Sequence, residues 1–531
     1  MKKIIILLLT AGLFLFTACE KYLDVNDNPN GPVKVSAFLY LAPMQSQIAE
    51  AIQWDARMFA YYTQNFAYYT SAYRYDQQGD PAWTSDMAQY WRCAYWSMGQ
   101  NLTDMIDISK TEERWDMVGI GYALRAWGWQ MLVDEHGPIV IKEAFVNGLK
   151  TFNYDTEEYA YQVVDSLCKQ AIEYLNRKDG AVSQTYAAKG DISSYAGQRL
   201  KWKKMVFGLM ALNQSHLSNK SSLYNAQKVM DYVDSSFVSN SDNFNFSFTG
   251  LTSSDANFFG PTRYNYLGAR TGAFTVSLMN GTVFPVADPR CRIMLPPSDN
   301  IVNNVAGAQY VGVVNGNGYG TIASADQPYN LYGIKGVATP PASTIGMYMF
   351  KDAVSWPMMT YSQLQFIKAE AALRAGQRTV ALTAYNNAVS AAIDFANLYA
   401  GKTTYNTSGV AAITSGEKAA FLAGVVPADA NNLTMSMILC QKYVHQWAWG
   451  TLETWTDLRR FHYTDTYGTE TTQVFAGFTN PTLYSTNEGK NVNRIRPRYN
   501  SEYVWNMDAL IKIGADKTTY HTEELWVTKP E

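Results

Sequence analysis

Along most of this chain apolar residues recur three and four positions apart, the spacing that places them on one face of a helix. Over 36–67 the line is Leu41, Met44, Ile48, Ile52 and Phe59, which predicts a first long helix. Two more helices are predicted over 85–109 and 114–135, and their short connection makes them a hairpin. The second is rich in Gly121, Ala123, Ala126, Trp127 and Trp129, a mixture of small and flat residues that lets helices approach closely. Asp155, with Glu158 three residues on, predicts the cap of a helix running to about 177. Helices over 198–217 and 222–237 form another pair, the first with Trp202, Met205, Leu209 and Leu212 along one face. The clearest pair is 361–375 and 378–397, joined at Gly376. One member carries Leu364, Ile367 and Ala371, the other Ala381, Tyr385, Ala388, Ala392 and Phe395. Such a pair fits a tetratricopeptide-type repeat of about 34 residues as well as it fits any helical hairpin. A final helix is expected from 433 to about 460.

Between 238 and 357 the helical period disappears. Asn, Ser, Gly and aromatics crowd this stretch, as in Asn257-Phe258-Phe259-Gly260, Arg263-Tyr264-Asn265-Tyr266 and Tyr329-Asn330-Leu331-Tyr332. The expected fold is all-α dominated: tetratricopeptide-like helical hairpins forming a scaffold, with a loop-rich insertion over about 238–357 carrying short strands. A second aromatic loop, 68–83, follows the first helix and ends near Pro81. Long ordered loops on a rigid frame are where binding residues concentrate.

The first 34 residues follow neither pattern. Lys2 and Lys3 precede a nearly unbroken apolar run from Ile4 to Phe16, and the small residues Thr17-Ala18 stand directly before Cys19. The run is about 13 residues, against roughly 20 for a spanning helix, so 1–18 reads as a signal peptide. Cys19, in a lipobox-like setting, is the expected lipidation site; at about 0.8 kcal/mol per buried methylene, acyl chains hold a soluble body at a membrane surface. Residues 19–34 read as a polar, turn-rich tether. Residues 35–531 read as a single domain.

Composition narrows the function. Without Lys2 and Lys3, 41 basic residues stand against 46 acidic ones, a mildly acidic balance that excludes charge-driven nucleic-acid binding. The excess is aromatic, with 37 Tyr, 14 Trp and 23 Phe but only 17% charged residues. Tyr and Trp offer flat apolar faces with a polar edge, which suits amphipathic ligands such as sugars. Cys93, Cys168, Cys291 and Cys440 are far apart and are expected as buried free thiols rather than a disulfide framework or metal site. The five His lack His-Glu-x-x-His spacing, and no C-x-x-C, Gly-x-Ser-x-Gly elbow, P-loop or dinucleotide fingerprint is present. The Gly316 to Gly320 alternation has the wrong spacing for a nucleotide and reads as a mobile or ligand-lining loop. Asp24 to Gly31 has the alternating oxygens of a calcium loop, but Pro29 intervenes and the later Glu is missing. No metal, cofactor or catalytic residue is expected.

Five blocks in order resemble landmarks of the SusD/RagB family. Behind the lipobox comes Asp24-Val25-Asn26-Asp27-Asn28-Pro29-Asn30; then Leu124-Arg125-Ala126 leading to Asp134-Glu135-His136-Gly137-Pro138-Ile139; then the 361–371 stretch ending Ala369-Glu370-Ala371. Gln441-Lys442-Tyr443 before Glu453-Thr454-Trp455-Thr456-Asp457-Leu458-Arg459-Arg460, and Arg496-Pro497-Arg498-Tyr499, complete the series. The resemblance implies an outer-membrane, lipid-anchored protein of Bacteroidetes-type bacteria, built on tetratricopeptide-like pairs. It also implies capture of glycans or peptides beside a SusC-like TonB-dependent transporter. It further implies scaffold roles for Glu370, Glu453, Trp455 and Arg459. With the acidic Glu20 and Asp24 behind Cys19, it favours the cell exterior.

Family resemblance carries no ligand residues across, so the expected site rests on loop aromatics: Tyr73, Tyr75, Trp83, Tyr264, Tyr266, Tyr319, Tyr329 and Tyr332. Arg74, Asp76, Arg263 and Asn265 beside them supply polar edges. The expected function is glycan capture and delivery to the transporter, with no bond made or broken. Two alternatives are a peptide-capturing lid protein of the same family and, further off, a surface glycoside hydrolase with two positioned carboxylates.

Overall fold

The computed structural model describes residues 35–80 and 87–531. The expected signal peptide, Cys19, the tether and Trp83 lie outside the described residues. Helix α1 (Leu41–Tyr62) carries Pro43 in its first turn, where a missing N–H costs nothing. It is followed by α2 (Asn101–Thr111), α3 (Trp115–His136), α4 (Glu157–Asn176), α5 (Arg199–His216) and α6 (Ala226–Asp234). Beyond the loop-rich stretch, which holds α7 (Ala273–Met279), come α8 (Tyr361–Arg374), α9 (Arg378–Asn397), α10 (Ser415–Val425), α11 (Met435–Gln446) and α12 (Thr451–Arg460). Neighbours in sequence pack as pairs: α2 on α3, α3 on α4, α5 on α6, and α8 on α9. The pairs are then stacked, α4 on α5, α6 on α8, and α8 on α11. Small residues permit this, since a Cβ on Gly121 of α3 would lie 2.5 Å from Ile106 and one on Gly119 would lie 2.6 Å from Leu175. The fold is helix-dominated, as the apolar spacing predicts, with four short strands among the described residues.

Those strands tie the insertion down. β1 (Phe66–Tyr68) follows α1, β2 (Phe244–Phe248) opens the insertion, β3 (Ala269–Thr271) lies within it, and β4 (Val354–Met359) closes it. β2 pairs antiparallel with β4, so the two ends of the insertion form its stem. β3 pairs antiparallel with β1, which brings the insertion against the loop after α1.

Three local expectations are corrected, and one helix is present that the sequence reading did not include. The helix after Asp155 is capped by Thr156, whose hydroxyl accepts from the Tyr159 N–H, because Asp155 is occupied with the Ile141 and Lys142 amides at 2.9 Å. The predicted helix over 433–460 is two helices. At the break Ala448 adopts φ 74°, which removes its backbone from the helical region. The segment before α2 contains a wide-turned π-helix, Cys93–Gln100. Finally, α10 has no apolar line to betray it, since only Phe421 and Val425 of its residues are buried; its start is fixed by a Thr414–Glu417 capping box.

The core, which runs from Ala37 to Val527, encloses a chain of charges. Asp134 of α3 meets His216 of α5 at 3.3 Å, His216 meets Glu453 of α12 at 2.9 Å, and Lys442 of α11 bridges Glu453 and Asp457 at 2.8 Å each. Arg460 then joins Asp457 at 2.6 Å to Glu370 of α8 at 2.8 Å. Burial opposes the charge on His216, but Asp134 and Glu453 outweigh it and raise the ring to about 9. Burial likewise opposes the Glu370 carboxylate, and Arg460 and Arg374 overcome it and hold the group well below the usual range. The four cysteines are buried free thiols. Among the described residues no helix is long and apolar enough to cross a membrane.

Candidate functional site: an aromatic loop surface

Where α1 ends, the chain enters β1 and leaves it at Tyr68 and Tyr69. Tyr73 folds back so that its ring stacks on Tyr68 with centroids 3.7 Å apart and planes 10° apart. Tyr61, on the last turn of α1, supports Tyr73 from beneath at 5.3 Å. Tyr69 lies 5.0 Å from Tyr68 and 6.2 Å from Tyr319, so four partly exposed rings form one strip. Burial pushes the phenols of Tyr68 and Tyr73 upward, so both are neutral at physiological pH.

Arg270 of β3 fixes one end of the strip from below. Its guanidinium lies 5.4 Å from the Tyr69 ring centre and 5.5 Å from that of Tyr319, and its Nε donates to the Tyr319 hydroxyl at 2.6 Å. Its remaining donors reach the carbonyls of Leu267, Ala269 and Gly336, so the buried cation is engaged along its whole fork. The Tyr319 hydroxyl in turn donates a hydrogen bond to the Pro328 carbonyl at 3.1 Å.

Asp76 fixes the other end. Its carboxylate accepts from the Tyr68 amide at 3.0 Å, the Gly316 amide at 3.1 Å and Asn315 Nδ2 at 2.8 Å. Burial pushes this carboxyl up to about 7, against those three donors. Asn315 also donates to the Phe66 carbonyl, which binds the insertion to β1 a second time. The glycine-rich turn makes the approach possible: Gly318 has φ 59°, and a Cβ there would lie 2.6 Å from the Ser71 nitrogen. Below the strip, Asn65 accepts from the Trp447 indole at 3.1 Å and from the Ala448 amide at 2.9 Å, while Tyr443 donates to the Thr63 carbonyl. The surface is thus fastened to the break between α11 and α12.

The eight aromatics expected from the sequence separate into groups. Tyr73 and Tyr319 belong to the strip. Tyr75, Tyr266 and Tyr332 are 4%, 2% and 0% exposed, because they pack under the loops, with the Tyr332 hydroxyl accepting from the Tyr266 amide at 2.9 Å. They turn no ring face to solvent. Tyr264 is half exposed but has no ring contact with the strip among the described residues. Tyr329 donates to Asp299 at 2.7 Å on the flank of the insertion. Tyr68, Tyr69 and Arg270 are further members that sequence reasoning passed over. The adjacent Tyr68-Tyr69 pair at a loop entrance was the available signal; Arg270 had none.

The arrangement offers a row of phenol faces and edges with fixed hydrogen-bonding groups. It contains no nucleophile beside a base and no cluster of metal ligands among the described residues. In sequence, residues 29–479 match the family described as SusD-like, starch-binding and associating with outer membrane. No curated protein compared matches the chain. Among solved structures, a SusD/RagB family protein from Bacteroides thetaiotaomicron superposes with a TM-score of 0.71 at 22% identity, covering 94% of this chain and 100% of that one. A chitin-binding protein gives 0.68 at 17%, covering 93% and 100%. A chitin-binding SusD homolog from Flavobacterium johnsoniae gives 0.63 at 18%, covering 93% and 99%. At these identities the superpositions establish the fold alone.

Proposed function

This chain belongs to the SusD-like family, and from that premise we propose that it captures neutral oligosaccharides on the Tyr68–Tyr69–Tyr73–Tyr319 strip and passes them to a SusC-like TonB-dependent transporter. The stacked Tyr68–Tyr73 pair carries the proposal. Sugar rings present C–H faces that pack on aromatic planes, while ring hydroxyls need polar partners at the edge. A surface strip rather than an enclosed pocket gives moderate affinity, which lets the ligand leave toward a pore. The starch-binding description of the family and the chitin-binding names of two structural neighbours support a glycan over a peptide. Cys19 is the proposed lipid anchor, and the outer face of the outer membrane is the proposed location.

A hydrolytic reading finds little support at the buried Asp55–Glu135 carboxyl pair. Asp55 and Glu135 are both buried, which pushes Asp55 up to about 6 and Glu135 well above its ordinary value. The void they share is about 40 Å³, room for water but not for a sugar ring.

Calorimetry with chitin- and starch-derived oligosaccharides tests the proposal. Tyr73→Ala and Tyr319→Ala are expected to weaken binding about tenfold each. Unchanged affinity in both variants, or binding of peptides but of no glycan, overturns it. Membrane fractionation of Cys19→Ala is expected to find the protein released; retention defeats the anchor.

A further inference from the structure

A second aromatic site is built from other residues. A cavity of about 630 Å³ opens between the Cys93–Gln100 segment, the loop over 140–152 and the segment around 498–502. That volume lies within the range of small-ligand sites. Two of its walls are π-helical, Cys93–Gln100 and Tyr499–Tyr503. Such wide turns are rare and frequent at functional sites. The third wall carries Phe145 at φ 64°, an uncommon conformation for a bulky residue, held there by its close approach to Gly99. A Cβ at Gly99 would lie 2.3 Å from the Phe145 ring. Backbone strain of this kind clusters at ligand sites.

The polar groups of the cavity point to its ligand. Arg92 and Arg498 both line it, and neither has an ion-pair partner among the described residues. Arg92 lies 4.3 Å over the ring of Trp96, which is 67% exposed. Burial, then the charge of Arg92, holds Arg498 below its usual value, so the two cations feel each other. The buried Asp55 carboxylate is the negative charge that reaches Arg498. On the cavity wall itself two arginines stand with one carboxylate, Glu502, whose Oε2 accepts from the Tyr154 hydroxyl at 2.7 Å and from Asn506 at 3.0 Å. Tyr95 has its hydroxyl committed to Val140 at 2.8 Å and offers only its ring.

We propose that this cavity binds a sugar acid, a uronate unit of an oligosaccharide. Arg92 and Arg498 take the carboxylate, Trp96 and Tyr95 take the ring, and Glu502 accepts from a hydroxyl. Guanidinium forks match a planar carboxylate in a way that solvated ammonium groups do not. Two like-charged guanidiniums with no ion pair among the described residues are groups that such a ligand carboxylate would partner. No residue of the tyrosine strip lines the cavity, so the proposal stands apart from the one above.

Calorimetry with trigalacturonate, its fully methyl-esterified counterpart and a peptide ending in a free Trp carboxylate decides the matter. Trigalacturonate is expected to bind the full chain, more weakly as salt rises, and at least tenfold more weakly in Arg92→Gln and in Arg498→Gln. Trp96→Ala, whose indole is mostly in water, is expected to lose affinity while keeping the wild-type Tm. Tyr73→Ala is expected to leave trigalacturonate binding intact. The proposal is overturned by absence of trigalacturonate binding, by equal binding of the methyl ester, by preference for the peptide, or by insensitivity to both Arg substitutions. Loss of trigalacturonate binding in Tyr73→Ala places the acid on the strip and also overturns it. Failure of neutral-glycan binding alone defeats the strip and leaves the cavity standing.

Discussion

The helical core and the loop surface are inversions of each other. The core holds Asp134, His216, Glu453, Lys442, Asp457, Arg460 and Glu370 out of water, whereas the surface places Tyr68, Tyr69, Tyr73 and Tyr319 partly in it. In the core, charge is tolerated because each group has an opposite neighbour within 3.3 Å. On the surface, aromatic area is tolerated because loops from both sides brace it. Burial by itself therefore predicts little about role here; the question is whether a group's partners come from within the chain. The core groups are satisfied internally, and the strip has ring area left over.

Breaking the core is expected to have the largest effect. Glu370→Ala leaves Arg460 short of a buried partner, which costs on the order of 3–5 kcal/mol and is read by chemical denaturation. A loss below about 1 kcal/mol would falsify the view that this chain of charges acts as a unit. The pH dependence of stability comes next. His216 has a folded value of about 9, above the ordinary 6.5, so folding holds its proton more tightly than the unfolded chain does. Its contribution is fully present below pH 6.5 and is lost as pH rises toward 9, a change on the order of 3 kcal/mol. Urea titrations at pH 6 and pH 9 measure it, and His216→Gln is expected to flatten the difference. A protein equally stable at both pH values would speak against the His216 link.

On the surface the balance reverses. Tyr73→Ala is expected to cost about 1–2 kcal/mol of glycan binding while the unfolding midpoint moves little. If stability falls as far as affinity, the strip is packing rather than a platform. The smallest effect is expected at an exposed ion pair: Lys418 meets Asp394 at 2.7 Å where Asp394 is 55% exposed, and Lys418→Ala should change stability by less than about 0.5 kcal/mol. Together with Glu370→Ala it separates burial from charge.

The same inversion explains what could be read from the residues. The α8 and α9 bounds follow from one apolar line each, with Gly376 between them and the Thr360–Gln363 capping box in front. The break at Ala448 was illegible, because an Ala at φ 74° carries no residue signal; Trp447 and Ala448 leave the helix to reach Asn65, far away in sequence. In the aromatic loop, Tyr73 and Tyr75 have the same chemistry and stand two residues apart. Only Tyr61 beneath them and the insertion above decide which ring stays near water. Arg270 is one arginine among many until β3 is placed beside β1. The loops were legible as loops, but which face each side chain shows depends on contacts across 200 or more positions, such as Asn315 with Phe66.

The fastening of Asn65 to Trp447 and Ala448 has a mechanical meaning. A pull on the tyrosine strip, such as its proposed ligand would exert, acts on β1, and β1 is bolted at its root to the elbow between two helices of the stack. The load path runs through the body instead of ending in a loop that could peel away. Loop surface and scaffold are therefore one piece, and on the proposed function a hand-over would swing the whole body.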